Sequence, residues 1–336
     1  MNNIENKAQA QRDWSLMGSS YIAGLIGDDN YSTITPIEIY QAMRGLKRKE
    51  ISKELKEIFR WGHLLEEPII KSFEEDNNIE LIRNKTFYIP NTRDCATPDG
   101  VNFEKPLLLE VKSVRGDMGW RWAKGVPGAI IMQTIWQGYC FNENQKLNNK
   151  PEVDKIFVRA LIDRTKEDFI VDYDVSLLEK IKAVANDFIK NYVNKGIAPP
   201  IDCTVAYSDY LLSQFPQVEF PKEHVFLDAN QDVELDSLMN DYFLFYKDKK
   251  EIEKKVNELR NKLMAKIGGN YGAAHRLGKV IWYDTKPKIS QKKVILDLAN
   301  RLQLTAKELD KIKESHRPEI KDGEGYRVFK PYLKKM

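Results

Sequence analysis

Two periodicities divide the chain. Leu107–Val114 is a short apolar run bounded by Pro106 and Gly116, the pattern of a buried strand. Side chains on a strand alternate, so Glu110 and Lys112 point one way and Leu109 and Val111 the other. Thr86–Ile89 and Arg93–Thr97 are strand-like segments able to pair with it, and Pro98-Asp99-Gly100 supplies turn chemistry that puts Asp99 at a strand end. A hairpin of this form brings Asp99 beside Glu110. Val153–Leu161 and Phe169–Tyr173 predict further strands. Helical spacing takes over at Arg60–Asn77, where Trp61, Leu64, Leu65, Pro68, Ile69 and Phe73 make one apolar face. Glu66 and Glu67 lie in the first half of that helix. Ala129–Phe141 reads as an apolar helix carrying Gln133 and Gln137 at i and i+4, two amides on one stripe that need partners if buried. Ser176–Asn194 is another helix, stopped near Gly196 and by Ala198-Pro199-Pro200.

Nearer the N-terminus, Gly18-Ser19-Ser20 leads into a short helix whose free N–H groups suit a phosphate, although plain capping explains the same residues. Thr35-Pro36 opens a further helix, and the charged Lys47–Lys56 reads as a solvated loop or helix face. Past Pro200 the character changes. Ala229–Ile267 has the pattern of one long helix of coiled-coil type, stopped by Gly268-Gly269-Asn270. Lys279–Tyr283 and Tyr326–Phe329 read as short strands, and Val294–Leu302 and Thr305–His316 as helices. The division expected is a first domain over residues 1–228 and a helical extension over 229–336.

Charge adds to this division. Residues 247–336 carry 24 Lys+Arg against 12 Asp+Glu, a net +12, whereas the rest of the chain holds 29 against 38, a net −9. An acidic body with a basic tail suits a polyanion partner, and equally a solubilised helical tail. The three cysteines, Cys95, Cys140 and Cys203, are scattered and fit reduced thiols rather than a disulfide scaffold or an iron–sulfur cluster. Four isolated histidines give no zinc pattern. No apolar run approaches the length of a bilayer span and no secretory leader is evident, so a soluble cytoplasmic protein is expected.

The chemistry concentrates where the strand meets the turn. Asp99 and Glu110 with Lys112 on one sheet edge suit a hard divalent cation, which takes one or two carboxylates and completes its shell with water and phosphate oxygens. The lysine is then positioned to orient or deprotonate a water, or to offset charge on the attacked phosphate. Glu-x-Lys by itself is weak, since it occurs five times, at Glu5, Glu54, Glu110, Glu253 and Glu319. Only the Glu110 copy follows an apolar run with a Pro-Asp-Gly turn upstream. Beyond it, Ser113–Gly128 interleaves glycines with Arg115, Trp120, Arg121 and Trp122, the composition of a mobile loop offering phosphate contacts and stacking; a partly buried tryptophan anchor is the competing explanation.

Taken in order, Gly18-Ser19-Ser20-Tyr21-Ile22-Ala23, Trp61-Gly62-His63-Leu64-Leu65-Glu66, Ala96-Thr97-Pro98-Asp99-Gly100, Leu109-Glu110-Val111-Lys112 and Gln133 after Pro127 resemble the YqaJ-like viral recombinase family, which includes phage lambda exonuclease, within the PD-(D/E)XK nuclease superfamily. The likeness covers roughly residues 12–200. It implies an α/β (α+β) fold with a PD-(D/E)XK restriction-endonuclease-like core, a central mixed sheet flanked by helices, followed here by a long helix and a small α/β extension. It implies Asp99, Glu110 and the Val111 carbonyl as ligands of Mg²⁺ or Mn²⁺, with two ions. Glu66 would join them directly or through water. Lys112 would act on the attacking water, oriented with help from Gln133. Ser20, Ser19 and Arg12 would hold a 5′ phosphate, and Arg115, Trp120 and Arg121 remain the candidate DNA contacts.

The activity implied is 5′→3′ exonuclease hydrolysis at the ends of double-stranded DNA, leaving 3′ overhangs for recombination in a phage or prophage setting inside a bacterial host. A single-strand annealing protein and a ring-shaped trimer are implied as partner and assembly. An endonuclease or structure-specific trimming enzyme on the same core, and a non-catalytic DNA-binding assembly protein, are the alternatives.

Overall fold

The computed structural model of the protein describes residues 13–26, 34–46, 52–215, 227–275 and 278–281, with single positions at 305, 307–308 and 310–311. By its contacts the chain divides into two compact units, Met1–Gln214 and Phe215–Met336.

The first unit begins with β1 (Met17–Gly18) running straight into α1 (Ser19–Ile26) and α2 (Pro36–Met43). Thr35 caps α2: its side chain accepts from the Glu38 amide, while Glu38 reaches back to the Thr35 backbone, a complete capping box. Helix α3 (Lys53–Asn77) starts two turns earlier than its apolar pattern, because the Ser52 side chain accepts from the Leu55 amide and so caps a polar first turn. Asn78, at φ 49°, ends it in the left-handed conformation. Only the C-terminal half of α3 is buried, at Ile69, Ile70 and Phe73; Trp61 and Leu64, expected on the buried face, are exposed.

Strands β2 (Phe87–Tyr88) and β3 (Asp94–Ala96) follow, then β4 (Gly100–Asn102) and β5 (Leu107–Val114). The sequence offered β2 and β3 as partners of β5. Instead β3 lies between β1, in parallel, and β2, antiparallel, in a sheet of its own. The neighbours of β5 are β4, antiparallel with Gly100 opposite Leu109, and β6 (Lys155–Ile162), parallel with Glu110 opposite Val158. A parallel pair needs a long crossover, which α4 (Gly128–Leu147) supplies between β5 and β6. Strand β7 (Thr165–Asp172) closes the mixed four-stranded sheet in the order β4-β5-β6-β7. Helices α5 (Val175–Phe188) and α6 (Val205–Gln214) complete the unit, α5 running on into a turn of π-helix at Ile189–Val193.

The expected α/β fold, a mixed sheet flanked by helices, therefore holds. Alternation along β5 sorts its two faces. Leu109 and Val111 join Ile69, Ile70 and Phe73 of α3 in one apolar cluster, while Leu108 and Val114 join the larger core with α1, α4 and α5. Glu110 is thereby aimed at α4.

In the second unit α7 (Val233–Ile267) is capped by Asp232, whose side chain accepts from the Leu235 amide, and is stopped by Gly268. A hairpin of β8 (Gly272–His275) and β9 (Gly278–Ile281) follows, with Gly272 opposite Ile281. The predicted elements at Val294–Leu302 and Tyr326–Phe329, and most of Thr305–His316, lie outside the described residues. No helix among the described residues is long and apolar enough to cross a membrane.

Candidate active site on the central sheet

The site is built where β4 leaves the Pro98-Asp99-Gly100 turn. Gly100 is needed there because a Cβ would lie 2.8 Å from Leu81 Cδ1 and 3.4 Å from the Leu109 Cβ. That close approach sets β4 against β5 and lets the Asp99 Oδ2 accept a 2.8 Å hydrogen bond from the Val111 amide. Asp99 thus straddles the start of one strand and the middle of the next.

Glu110 is only 2 % exposed, an uncommon fate for a carboxylate, and it is held by three donors. Its Oε1 accepts from Lys112 Nζ and, at 2.7 Å, from Gln133 Nε2; its Oε2 accepts at 2.7 Å from Gln137 Nε2. Both amides come from α4, one turn apart. Gly138 lets α4 come this near the sheet, since a Cβ there would meet the Tyr173 ring at 2.8 Å. Charge-assisted bonds of this kind are roughly twice as strong as neutral ones, which is how a carboxylate can be kept in the core. The Asp99 carboxyl is raised well above the ordinary carboxylate range, first by burial and then by the charge of Glu110, with Lys112 and the Val111 amide opposing.

The structure thus brings Asp99, Glu110, Val111, Lys112 and Gln133 together. Gln137 belongs with them although its position in the sequence carried no assigned role. The signal was its spacing to Gln133 on an otherwise apolar helix. Glu66 stands at the rim: it is partly exposed, with Oε1 3.0 Å from His63 Nδ1, and near enough for its charge to raise Asp99 slightly. Among the described residues no group of three or more His, Cys, Asp and Glu converges as a ready cation cage.

The remaining candidates lie on other elements. Ser19 and Ser20 form the first turn of α1, Ser19 buried and Ser20 exposed, and Arg12 lies outside the described residues. Gly116–Arg121 is a short 3₁₀ helix rather than an irregular loop. Arg115 is tied to Asp117 at 2.5 Å and exposed. Trp120 is 69 % exposed with the Arg121 guanidinium 5.2 Å from its ring centre. Trp122 is the anchor that composition also allowed, buried against Phe169 with ring centres 5.5 Å apart.

The donor set fits a hard cation. Two carboxylates face one ammonium, leaving negative charge in excess, and a carboxylate oxygen has lone pairs beyond the single bond Glu110 Oε2 accepts from Gln137. The Asp99 Oδ1 makes no hydrogen bond among the described residues. Asp99 and Glu110 would hold such an ion, the rest of its shell being water and phosphate oxygens.

A mixed sheet with one carboxylate in the turn before its edge strand β4 and a second carboxylate and a lysine on the inner strand β5 defines a carboxylate-lysine site of the kind the sequence motifs led us to expect. Residues 8–141 match the YqaJ-like viral recombinase domain. No curated protein matches the chain. Among solved structures, the chain is similar to LHK-Exo in complex with dAMP at 15 % identity and a TM-score of 0.43, covering 60 % of this chain and 94 % of that one. A second structure of that protein, an alkaline exonuclease from Laribacter hongkongensis, gives 13 % and 0.41 over the same shares. A phage-related exonuclease from Haemophilus somnus gives 18 % and 0.36, over 60 % of this chain and 96 % of that one.

Proposed function

We propose that the protein is a metal-dependent nuclease that degrades double-stranded DNA from its 5′ ends, leaving 3′ single-stranded overhangs for recombination. The observation that carries the reading is the Asp99–Glu110–Lys112 group around the buried Glu110, with more acid than base and three donors locking Glu110 in place. A scaffold protein has no physical need to force two carboxylates together. The match of residues 8–141 to the YqaJ-like viral recombinase domain supports this reading.

When bound, Mg²⁺ or Mn²⁺ supplies Lewis-acid polarisation of the phosphate and lowers the pKa of a bound water. Asp99 and Glu110 would hold that ion. Lys112 Nζ, steered by Glu110 Oε1, holds a proton where it can guide the attacking water or neutralise the phosphate oxygen. Gln133 and Gln137 fix the carboxylate so that its lone pairs keep their direction. Ser20 at the start of α1, with Ser19 and Arg12, is our candidate for the terminal 5′ phosphate, and exposed Trp120 with Arg121 for stacking and backbone contact. Contacts of these types read backbone rather than base sequence.

The test is digestion of one duplex as a linear 5′-phosphorylated, a linear 5′-hydroxyl and a covalently closed circular molecule, with Mg²⁺ and with EDTA, beside Glu110→Ala. Metal-dependent loss of the phosphorylated linear form with the circle spared is expected. Cutting of the circle would make the protein an endonuclease, and no cutting by folded protein would make it a binding module.

A further inference from the structure

Helix α7 is 35 residues long, about 52 Å at 1.5 Å per residue. Two columns of residues recur along it every seven positions: Leu238, Phe245, Ile252 and Leu259 in one, Tyr242, Lys249, Val256 and Leu263 in the other. Steps between the columns alternate four and three, the spacing of a coiled-coil seam in which the first column is d and the second a. Ile252, Val256, Leu259 and Leu263 are 59, 57, 58 and 46 % exposed. Such a seam left in water is an unstable arrangement, because long helices draw most of their stability from packing an apolar face.

We propose that α7 pairs with α7 of a second copy of this chain as an antiparallel two-stranded coiled coil. The flanking charges decide both the occupant and the polarity. The g positions are Asp241, Asp248, Lys255 and Lys262; the e positions include Glu253 and Arg260. In a parallel in-register pair, Lys249 would face its own copy in the core. Asp248 would meet Glu253 and Lys255 would meet Arg260, so each of these contacts would repel. In an antiparallel pair the g columns face each other. The register centred between residues 250 and 251, near the midpoint of Val233–Ile267, sets Asp241 opposite Lys262 and Asp248 opposite Lys255, each twice by symmetry. In the core this register packs Leu238 on Leu263, Tyr242 on Leu259 and Phe245 on Val256. The e columns then pair Tyr246 with Glu253 and Met239 with Arg260, without like charges meeting. A sequence whose own acidic and basic halves are complementary end to end specifies itself as partner.

The experiment is the mass of the full chain by light scattering and its association constant by sedimentation equilibrium. The substitutions Ile252→Asp and Leu259→Asp together should halve the mass of the assembly. Both positions are solvent-exposed within the chain, so its fold does not depend on them. The double reversal Asp241→Lys with Asp248→Lys turns four attractive contacts repulsive and should weaken association on the order of 100-fold. Adding Lys255→Asp and Lys262→Asp should restore it. Tighter association of the double reversal would overturn the polarity, since in a parallel pair it relieves the clash with Glu253. A monomeric wild type, or an assembly insensitive to every α7 substitution, would overturn the pairing and leave the seam to be covered by this chain's own residues.

Discussion

Asp99→Asn tests whether the site is built around a missing positive charge. The carboxyl is raised from the ordinary 3.8 by burial and by Glu110, so ionising it costs more in the folded than in the unfolded protein. The group is neutral in both states below the unfolded value. As pH rises through the unfolded and then the folded pKa, stability falls, by about 1.4 kcal/mol for each unit separating the two. Above the folded value the deficit is constant. Asp99 is half-buried and its Oδ1 is not closed off from solvent. What ionisation costs is therefore a like charge held beside Glu110, on the order of 1–3 kcal/mol at an effective dielectric near 20. In EDTA, at a pH above the folded value, Asp99→Asn should recover about that much, with a melting temperature higher by roughly 2–10 °C for a unit of this size. The asparagine carbonyl still accepts from Val111, and its amide can face Glu110. The assay is thermal melting across pH 4–8 in EDTA and in Mg²⁺. The wild type should melt lower as pH rises in EDTA and recover in Mg²⁺; the variant should be flat in both and inactive on DNA. An Asp99→Asn variant less stable than the wild type in EDTA, or a wild type indifferent to Mg²⁺, would refute the reasoning.

Glu110→Gln should abolish cleavage and cost about 2–3 kcal/mol, because its new amide meets the donors of Lys112, Gln133 and Gln137; denaturant titration beside the nuclease assay reads both. Gln137→Leu should slow cleavage at least tenfold while changing stability by less than about 1 kcal/mol. The lost charge-assisted bond is offset by removing Gln137 Oε1, which is buried without a partner among the described residues. A large destabilisation would mean that this oxygen is satisfied. Lys112→Ala should lower the rate by about 10²–10⁴-fold, the range of general acid–base catalysis, yet keep the stabilisation by Mg²⁺. Trp120→Ala should weaken DNA binding by about 1–3 kcal/mol in a filter or anisotropy assay without moving the melting temperature, since the ring is 69 % exposed.

What could be read from the sequence was what depends on local pattern. The strand at Leu107–Val114, its two faces and the adjacency of Asp99 and Glu110 follow from period-two alternation and a turn dipeptide, and the structure agrees. The partners of β5 were harder. Nothing local in Arg93–Thr97 says that it pairs with Met17–Gly18, a strand of two residues almost eighty positions away. The exposure of Trp61 and Leu64 was hidden for a related reason: helical spacing gives an apolar face but not how far along the helix a sheet extends to cover it. Gln137 shows the limit from the other side. Two amides on an apolar stripe announced a buried acceptor, but only the packing of α4 on β5 identifies it as Glu110.

Charge balance, rather than burial, separates the functional side of the sheet from the structural one. Arg159 on β6 is 1 % exposed, as buried as Glu110, and lies opposite Val111 in the parallel register, on the face toward α3. Its guanidinium is gripped by Asp168 through two bonds, by Asp76 at 2.8 Å and by Ser72 at 3.2 Å, and it stacks over Phe73 at 4.9 Å. Lys166 also bonds Asp76, so two cations meet two anions and nothing is left over. Such a cluster orders a fold and has no capacity for another ion. On the face toward α4, Asp99 and Glu110 meet Lys112 as the one cation among the described residues, with Glu66 adding further negative charge from the rim. Every donor that helps there is either neutral, as the glutamines and the Val111 amide are, or the one ammonium. The protein stabilises Glu110 in position without neutralising its neighbour, and that residual charge is what a cation and the phosphate it carries would answer.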